Sequence, residues 1–163
     1  MDAAHTQVQK FRNVLFVCED NARHSLIAEV LLRDHGVRGL RAFSAGITPA
    51  DRADSYALSA LALAGLGSDG LWPKHWEGFR DAKRLLIDMV VMIGDGPARD
   101  LPRTFPGNPE YVVWKFEGDL SLRFHHGVWR DIQVLRPCVE ALVDDLRYAV
   151  RPTVNNRQQV AAE

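Results

Sequence analysis

The clearest feature of the hydrophobic pattern is an apolar run, Asn13-Val14-Leu15-Phe16-Val17, that gives way at once to polar residues. A short run without polar alternation predicts a strand buried on both faces, as in a parallel sheet. From Ser25 the apolar positions Leu26, Ile27, Val30, Leu31 and Leu32 recur at helical spacing as far as His35-Gly36, where glycine can cap a helix. This predicts a helix of roughly three turns. Leu40 to Ser44 predicts a second short strand ending in Ala45-Gly46, and Asp54 to Leu66 a helix closed by Gly65 and Gly67. Asp88 to Ile93 and Tyr111 to Phe116 are the third and fourth strand candidates. Between them the Pro/Gly-rich stretch from Gly94 to Pro109 reads mostly as loop, with room for one helical turn. Finally, Ile132, Leu135, Val139, Leu142, Leu146 and Val150 trace the stripe of a long C-terminal helix, which Pro137 is expected to kink or restart.

Strands alternating with helices predict an α/β fold, a doubly wound parallel sheet with helices on both faces. Such sheets bind ligands beyond the carboxyl ends of their strands, which directs attention to the loop after the first strand. One domain is expected over residues 12–150. Residues 1–11 and 151–163 carry no sustained period and are expected to be flexible tails.

Composition narrows the function classes. A chain of 163 residues with 47% apolar and 25% charged content fits one packed domain. A formal net charge of -1 provides no broad positive field, so neither nucleic acid nor a membrane surface is an expected partner. Cys18 and Cys138 stand far apart and form no zinc-ligand spacing, and a reduced compartment is the simpler inference. With no leader-like apolar core at the start and no run near the ~20 residues that span a bilayer, a cytoplasmic location is expected.

The loop itself reads Cys18-Glu19-Asp20-Asn21-Ala22-Arg23-His24-Ser25, between the first strand and the first helix. Helix N-termini and successive loop amides present unpaired N–H groups that cradle oxyanions. A cysteine at such a cradle is favoured as the nucleophilic thiolate. Asn21 suits a side-chain tie or a left-handed backbone, and Ser25 either caps the helix or donates to the sulfur. The competing reading of Cys18 is a small buried hydrophobe at a strand end.

Val14-Leu15-Phe16-Val17-Cys18, then Asn21, Ser25 and Ala28-Glu29, resemble the opening of the low-molecular-weight tyrosine phosphatase and thioredoxin-coupled arsenate reductase superfamily, whose loop runs Cys-x-x-Asn-x-x-Arg-Ser. Ser44-Ala45-Gly46, Lys74-His75 and Asp88-Met89-Val90-Val91 extend the resemblance in order along the chain. It implies a four-stranded parallel sheet and phosphomonoester hydrolysis through a cysteinyl-phosphate intermediate, without metal or other cofactor. Cys18 would be the nucleophile, Asn21, Ala22, Arg23, His24 and Ser25 the oxyanion-binding residues. The implied substrate is a phosphate-bearing small molecule or phosphoprotein. The alternative is a relative that binds phosphate, arsenate or a phosphorylated partner without efficient turnover.

The chain departs from the family pattern in four places. His24 stands where the family has its phosphate-gripping arginine, with Arg23 one residue earlier. Histidine carries only partial charge near neutral pH and has no planar fork of donors. Asp20 replaces the loop's usual glycine beside Glu19, and two solvated acids are expected there. The general acid, an Asp-Pro in the family, falls to Asp119 without a following proline, with Glu117 in reserve; Asp119 as an ordinary turn residue is the competing reading. The two further cysteines of thioredoxin-coupled arsenate reduction are missing, Gly94 and Leu101 standing in their places, and Cys138 suits apolar packing better than a resolving role. Elsewhere, His125-His126 lacks partners at metal-ligand spacing, and the aromatic stretch Trp72, His75, Trp76 is expected to pack rather than border a cleft.

Overall fold

The computed structural model describes residues 12–115 and 125–149, so the two expected tails and the acid candidates Glu117 and Asp119 lie outside the described residues. Four strands, β1 (Arg12–Cys18), β2 (Leu40–Gly46), β3 (Met89–Ile93) and β4 (Glu110–Trp114), form one all-parallel sheet in the order β2-β1-β3-β4. The helices of the described residues are α1 (His24–Asp34), α2 (Ser55–Leu63), α3 (Asp95–Asp100) and α4 (His125–Ala149), with a 3₁₀ turn at Trp76–Phe79. The doubly wound α/β arrangement expected from the alternating pattern is what forms.

Side-chain alternation along β1 sorts the core into two layers. Val14, Phe16 and Cys18 face α1, α2 and α4 and pack with Ile27, Leu61, Ile132 and Val139. Leu15 and Val17 face the other way, onto Trp76, Leu101 and Phe105. This second face is covered by the 3₁₀ turn, α3 and the chain after it rather than by long helices. Every described β1 residue from Asn13 onward is buried, which is why its sequence lacks a polar period.

Four boundaries differ from expectation, each for a local reason. α2 stops at Leu63 because Gly65, at φ +72°, takes the chain into the left-handed region. The loop between β3 and β4 contains the six-residue helix α3, with Pro97 in its first turn where a missing N–H costs no intrahelical bond. β4 ends at Trp114 rather than running on to residue 116. α4 continues through Pro137 without restarting. Its long apolar face, from Val128 through Leu135 and Val139 to Leu146, packs against α1 and outweighs the hydrogen bond that proline removes.

Candidate active site at the end of strand β1

The chain crosses from one side of β1 to the other between β2 and β3, so the carboxyl end of β1 sits at the topological switch point of the sheet. Cys18 ends that strand. Beyond it opens a cavity of about 510 Å³ lined by Cys18, Glu19, Asp20, Ala22, Arg23, His24, Asp54, Ile93, Gly94, Gly96 and Pro97.

The loop is shaped by its carbonyls. Ile47 N donates to Cys18 O (3.2 Å), Thr48 N to Glu19 O (2.8 Å), Ala50 N to Asp20 O (2.8 Å) and Asp54 N to Ala22 O (2.9 Å). Among the described residues no peptide is cis, so each outward carbonyl turns the next residue's N–H to the opposite side. The amides of residues 19, 20, 21 and 23 are thereby directed away from the 47–54 segment. Asn21 adopts φ +49°, a conformation asparagine tolerates better than most residues. Its side chain, fully buried, accepts from Lys74 N (2.7 Å) and donates through Nδ2 to Ser25 Oγ (2.7 Å). Ser25 Oγ in turn lies 2.9 Å from Cys18 Sγ. Ser25 is the second residue of α1 and its hydroxyl serves the sulfur, while no side chain caps that helix.

Gly46 permits this closeness. A Cβ there would sit 2.9 Å from Asn21 N and 3.0 Å from the Asp20 carbonyl carbon, both backbone atoms that cannot swing aside. Gly46→Ala is expected to cost about 1–3 kcal/mol, the usual range for overpacking, and to displace the loop. Urea denaturation reads the first effect; an unchanged midpoint would contradict it.

The thiol departs from the thiolate expected at such a cradle. Burial pushes the Cys18 pKa up, and the nearby Asp20 charge adds to this, while the Ser25 hydroxyl and the Ser25 and Asn21 backbone amides pull the other way. A group whose folded pKa is raised contributes stability below its unfolded pKa and loses it as pH rises through the folded value. Alkylation of Cys18 is therefore expected to show a midpoint above the ordinary thiol value of about 8.5, with stability falling above that range. A midpoint below 8 by iodoacetamide kinetics would contradict it.

Both basic loop residues turn to one carboxylate. Arg23 Nε lies 2.6 Å and His24 Nε2 3.3 Å from Asp131 Oδ2 on α4, and Asp131 is only 2% exposed. A buried acid facing the start of α1 draws these two neighbouring side chains together. Asp20 is exposed, as a solvated acid should be, but its Oδ1 folds back to accept from Ala22 N (3.0 Å) and stands 3.8 Å from Cys18 Sγ. Glu19 is also exposed and lies over Gly96, where its Oε2 would be 2.6 Å from an added Cβ.

Two further residues shape the site. Asp54 caps α2 through Tyr56 N and Ala57 N and lines the cavity. Buried Glu29 binds Ser44 Oγ, the Arg33 guanidinium and, at 3.6 Å, Lys74 Nζ, so it holds in place the segment whose Lys74 amide bonds Asn21. Burial lowers the Lys74 pKa, with Glu29 opposing. Trp76 packs into the core as expected, but Trp72 is exposed beneath Lys74. The side chains of His125 and His126 lie outside the described residues, among which no metal-ligating cluster occurs. No helix of the described residues is long and apolar enough to cross a membrane.

A parallel sheet whose first strand ends in a cysteine, followed by a loop and a helix, is the arrangement of a phosphate-loop fold. The chain belongs to the low molecular weight phosphotyrosine protein phosphatase family, which it matches over residues 13–115. It is similar to the thioredoxin-dependent arsenate reductase of Corynebacterium glutamicum, at 25% identity and a TM-score of 0.71; the match covers 87% of this chain but 65% of that one. An arsenate reductase from Archaeoglobus fulgidus matches at 24% identity and TM-score 0.64, over 80% of this chain and 98% of its own. The tyrosine phosphatase Wzb from Escherichia coli K30, solved with sulphate, matches at 20% identity and TM-score 0.68, over 83% of this chain and 99% of its own.

Proposed function

We propose that the chain is a slow phosphomonoester hydrolase of the phosphotyrosine type, acting through a cysteinyl-phosphate on a phosphate-bearing small molecule or phosphoprotein. The observation that carries this reading is the placement of Cys18 Sγ at the cavity, 2.9 Å from Ser25 Oγ. In the first step the thiolate forms an S–P bond as the ester P–O bond breaks. Asp119 gives its proton to the departing oxygen. Water then attacks phosphorus, Asp119 takes a proton back, the S–P bond breaks to regenerate thiolate, and inorganic phosphate leaves. Loop amides with Ser25, and His24 or Arg23, hold the phosphoryl oxygens throughout. No cofactor enters this chemistry. The protein acts in the cytoplasm as one domain over residues 12–150 with flanking tails.

Hydrolysis of p-nitrophenyl phosphate between pH 5 and 7, abolished in Cys18→Ser, tests the proposal. Failure of the unaltered protein to turn over any of it would refute hydrolysis. A second reading, oxyanion binding without turnover, is favoured by the pairing of Arg23 and His24 with Asp131. It predicts saturable phosphate binding by calorimetry, weakened in His24→Ala, in a protein without activity.

Arsenate reduction has less support. Leu101 is buried in the core and Gly94 has no side chain, so neither replaces a thiol. Cys138 borders a groove beside Arg12 and Met89, at the amino ends of the strands. Cys18 is at the other end of β1, six residues and roughly 20 Å away at ~3.3 Å per residue. An internal disulfide between them is out of reach.

A further inference from the structure

The Asp20 carboxylate folds back over its own loop, beside the sulfur. Its Oδ1 receives the Ala22 amide at 3.0 Å and lies 3.8 Å from Cys18 Sγ, while Ala22 and Cys18 both line the cavity. A carboxylate oxygen and a phosphate oxygen ask for the same thing, a charge-assisted hydrogen bond from an amide. Resting on the oxyanion-cradle reading above, we propose that Asp20 is a built-in competitor, filling one oxyanion position of its own loop so that phosphate binds only by displacing it.

Three features separate this from a turn that merely shapes the backbone. Asp20 is exposed, so its side chain can leave for water without crossing packed atoms. Its backbone carbonyl is held independently by Ala50 N at 2.8 Å, so the loop keeps its path when the carboxylate leaves. Third, its charge bears on the sulfur, adding to the upward push on the Cys18 pKa. A competitor tethered within the loop acts at high effective concentration, so its removal shows directly in apparent affinity. Glu19 supplies an internal control: it lines the same cavity with the same charge but lies over Gly96 rather than on a loop amide.

The test is calorimetric titration of the full chain with inorganic phosphate, comparing the unaltered protein with Asp20→Asn, Asp20→Gly and Glu19→Gln. Asparagine retains the shape but offers the Ala22 amide a neutral, weaker acceptor that phosphate displaces more easily; glycine removes the occupant altogether and serves if the asparagine variant folds poorly. Phosphate is expected to bind at least tenfold more tightly to both Asp20 variants and within twofold of the unaltered protein in Glu19→Gln. Alkylation of Cys18 in Asp20→Asn is expected to shift to lower pH. Equal affinity in the unaltered protein and the Asp20 variants would mean a turn residue only. Equal tightening in Glu19→Gln would mean general charge repulsion, and weaker binding in Asp20→Asn would mean that Asp20 is itself a ligand. Each of these overturns the inference and leaves the cradle standing. Absence of phosphate binding in every variant removes the cradle, and the competitor with it.

Discussion

Replacing His24 by arginine is expected to raise kcat on p-nitrophenyl phosphate about 10²-fold over the parent, the scale attached to a single oxyanion-hole donor. On the proposed reading, His24 occupies the place from which the family's arginine grips the phosphoryl oxygens. Histidine offers one donor per ring nitrogen and loses its charge near neutral pH, whereas guanidinium is always charged and binds two oxygens at once. Here His24 Nε2 points to Asp131 at 3.3 Å, but that carboxylate already holds Arg23 at 2.6 Å. A longer guanidinium at 24 therefore has less to gain from Asp131 than from the anion. Because the added donors act on charge that grows in the transition state, the effect should fall on kcat more than on KM. Steady-state kinetics reads both. An unchanged or lower kcat in a folded variant would show that position 24 does not face the reacting group.

The second large effect concerns the pairing itself. Asp131→Ala is expected to lower the free energy of unfolding by about 3–5 kcal/mol, because breaking a buried ion pair leaves an uncompensated charge. Arg23 and Asp131 side chains are only 7% and 3% exposed, so little solvent screening softens the loss. Arg23→Met combined with Asp131→Leu is expected to recover most of it, since the desolvation penalty disappears with both charges. Urea denaturation of the three proteins measures this. A loss below about 1 kcal/mol in Asp131→Ala, the range of exposed pairs, would contradict the buried latch between the loop and α4.

What could be read from the residues was local. The run from Val14 to Val17 and the helical spacing after Ser25 placed β1 and α1, and with them Cys18 at the carboxyl end of a central strand. The two roles open to Asn21 are both used, the positive φ and the side-chain tie, and Ser25 meets the sulfur rather than capping α1. The positive φ and the Ser25 contacts depend on neighbours a few residues away, whereas the Asn21 tie to Lys74 N spans 53 residues. Asp131 was missed because its partners, Arg23 and His24, are brought to it only when α4 lies on α1. A signal was present: Asp131 is an acid set beside Val128, Ile132 and Leu135, on the apolar stripe of its own helix. The fold-back of Asp20 onto the Ala22 amide was likewise illegible, since a carboxylate beside a turn reads equally well as solvated. Pro137 does not restart the helix, because tertiary packing along 25 residues of helix exceeds the cost of one lost backbone bond.

All of the proposed chemistry depends on inward-facing amides between residues 19 and 25 meeting one anion opposite the sulfur. A crystal structure grown with saturating phosphate tests this directly. Phosphorus should lie opposite Cys18 Sγ, with its oxygens on the loop amides and the Asp20 side chain swung away from Ala22 N. Phosphate bound elsewhere, with the loop empty and Asp20 still on the Ala22 amide, would contradict it.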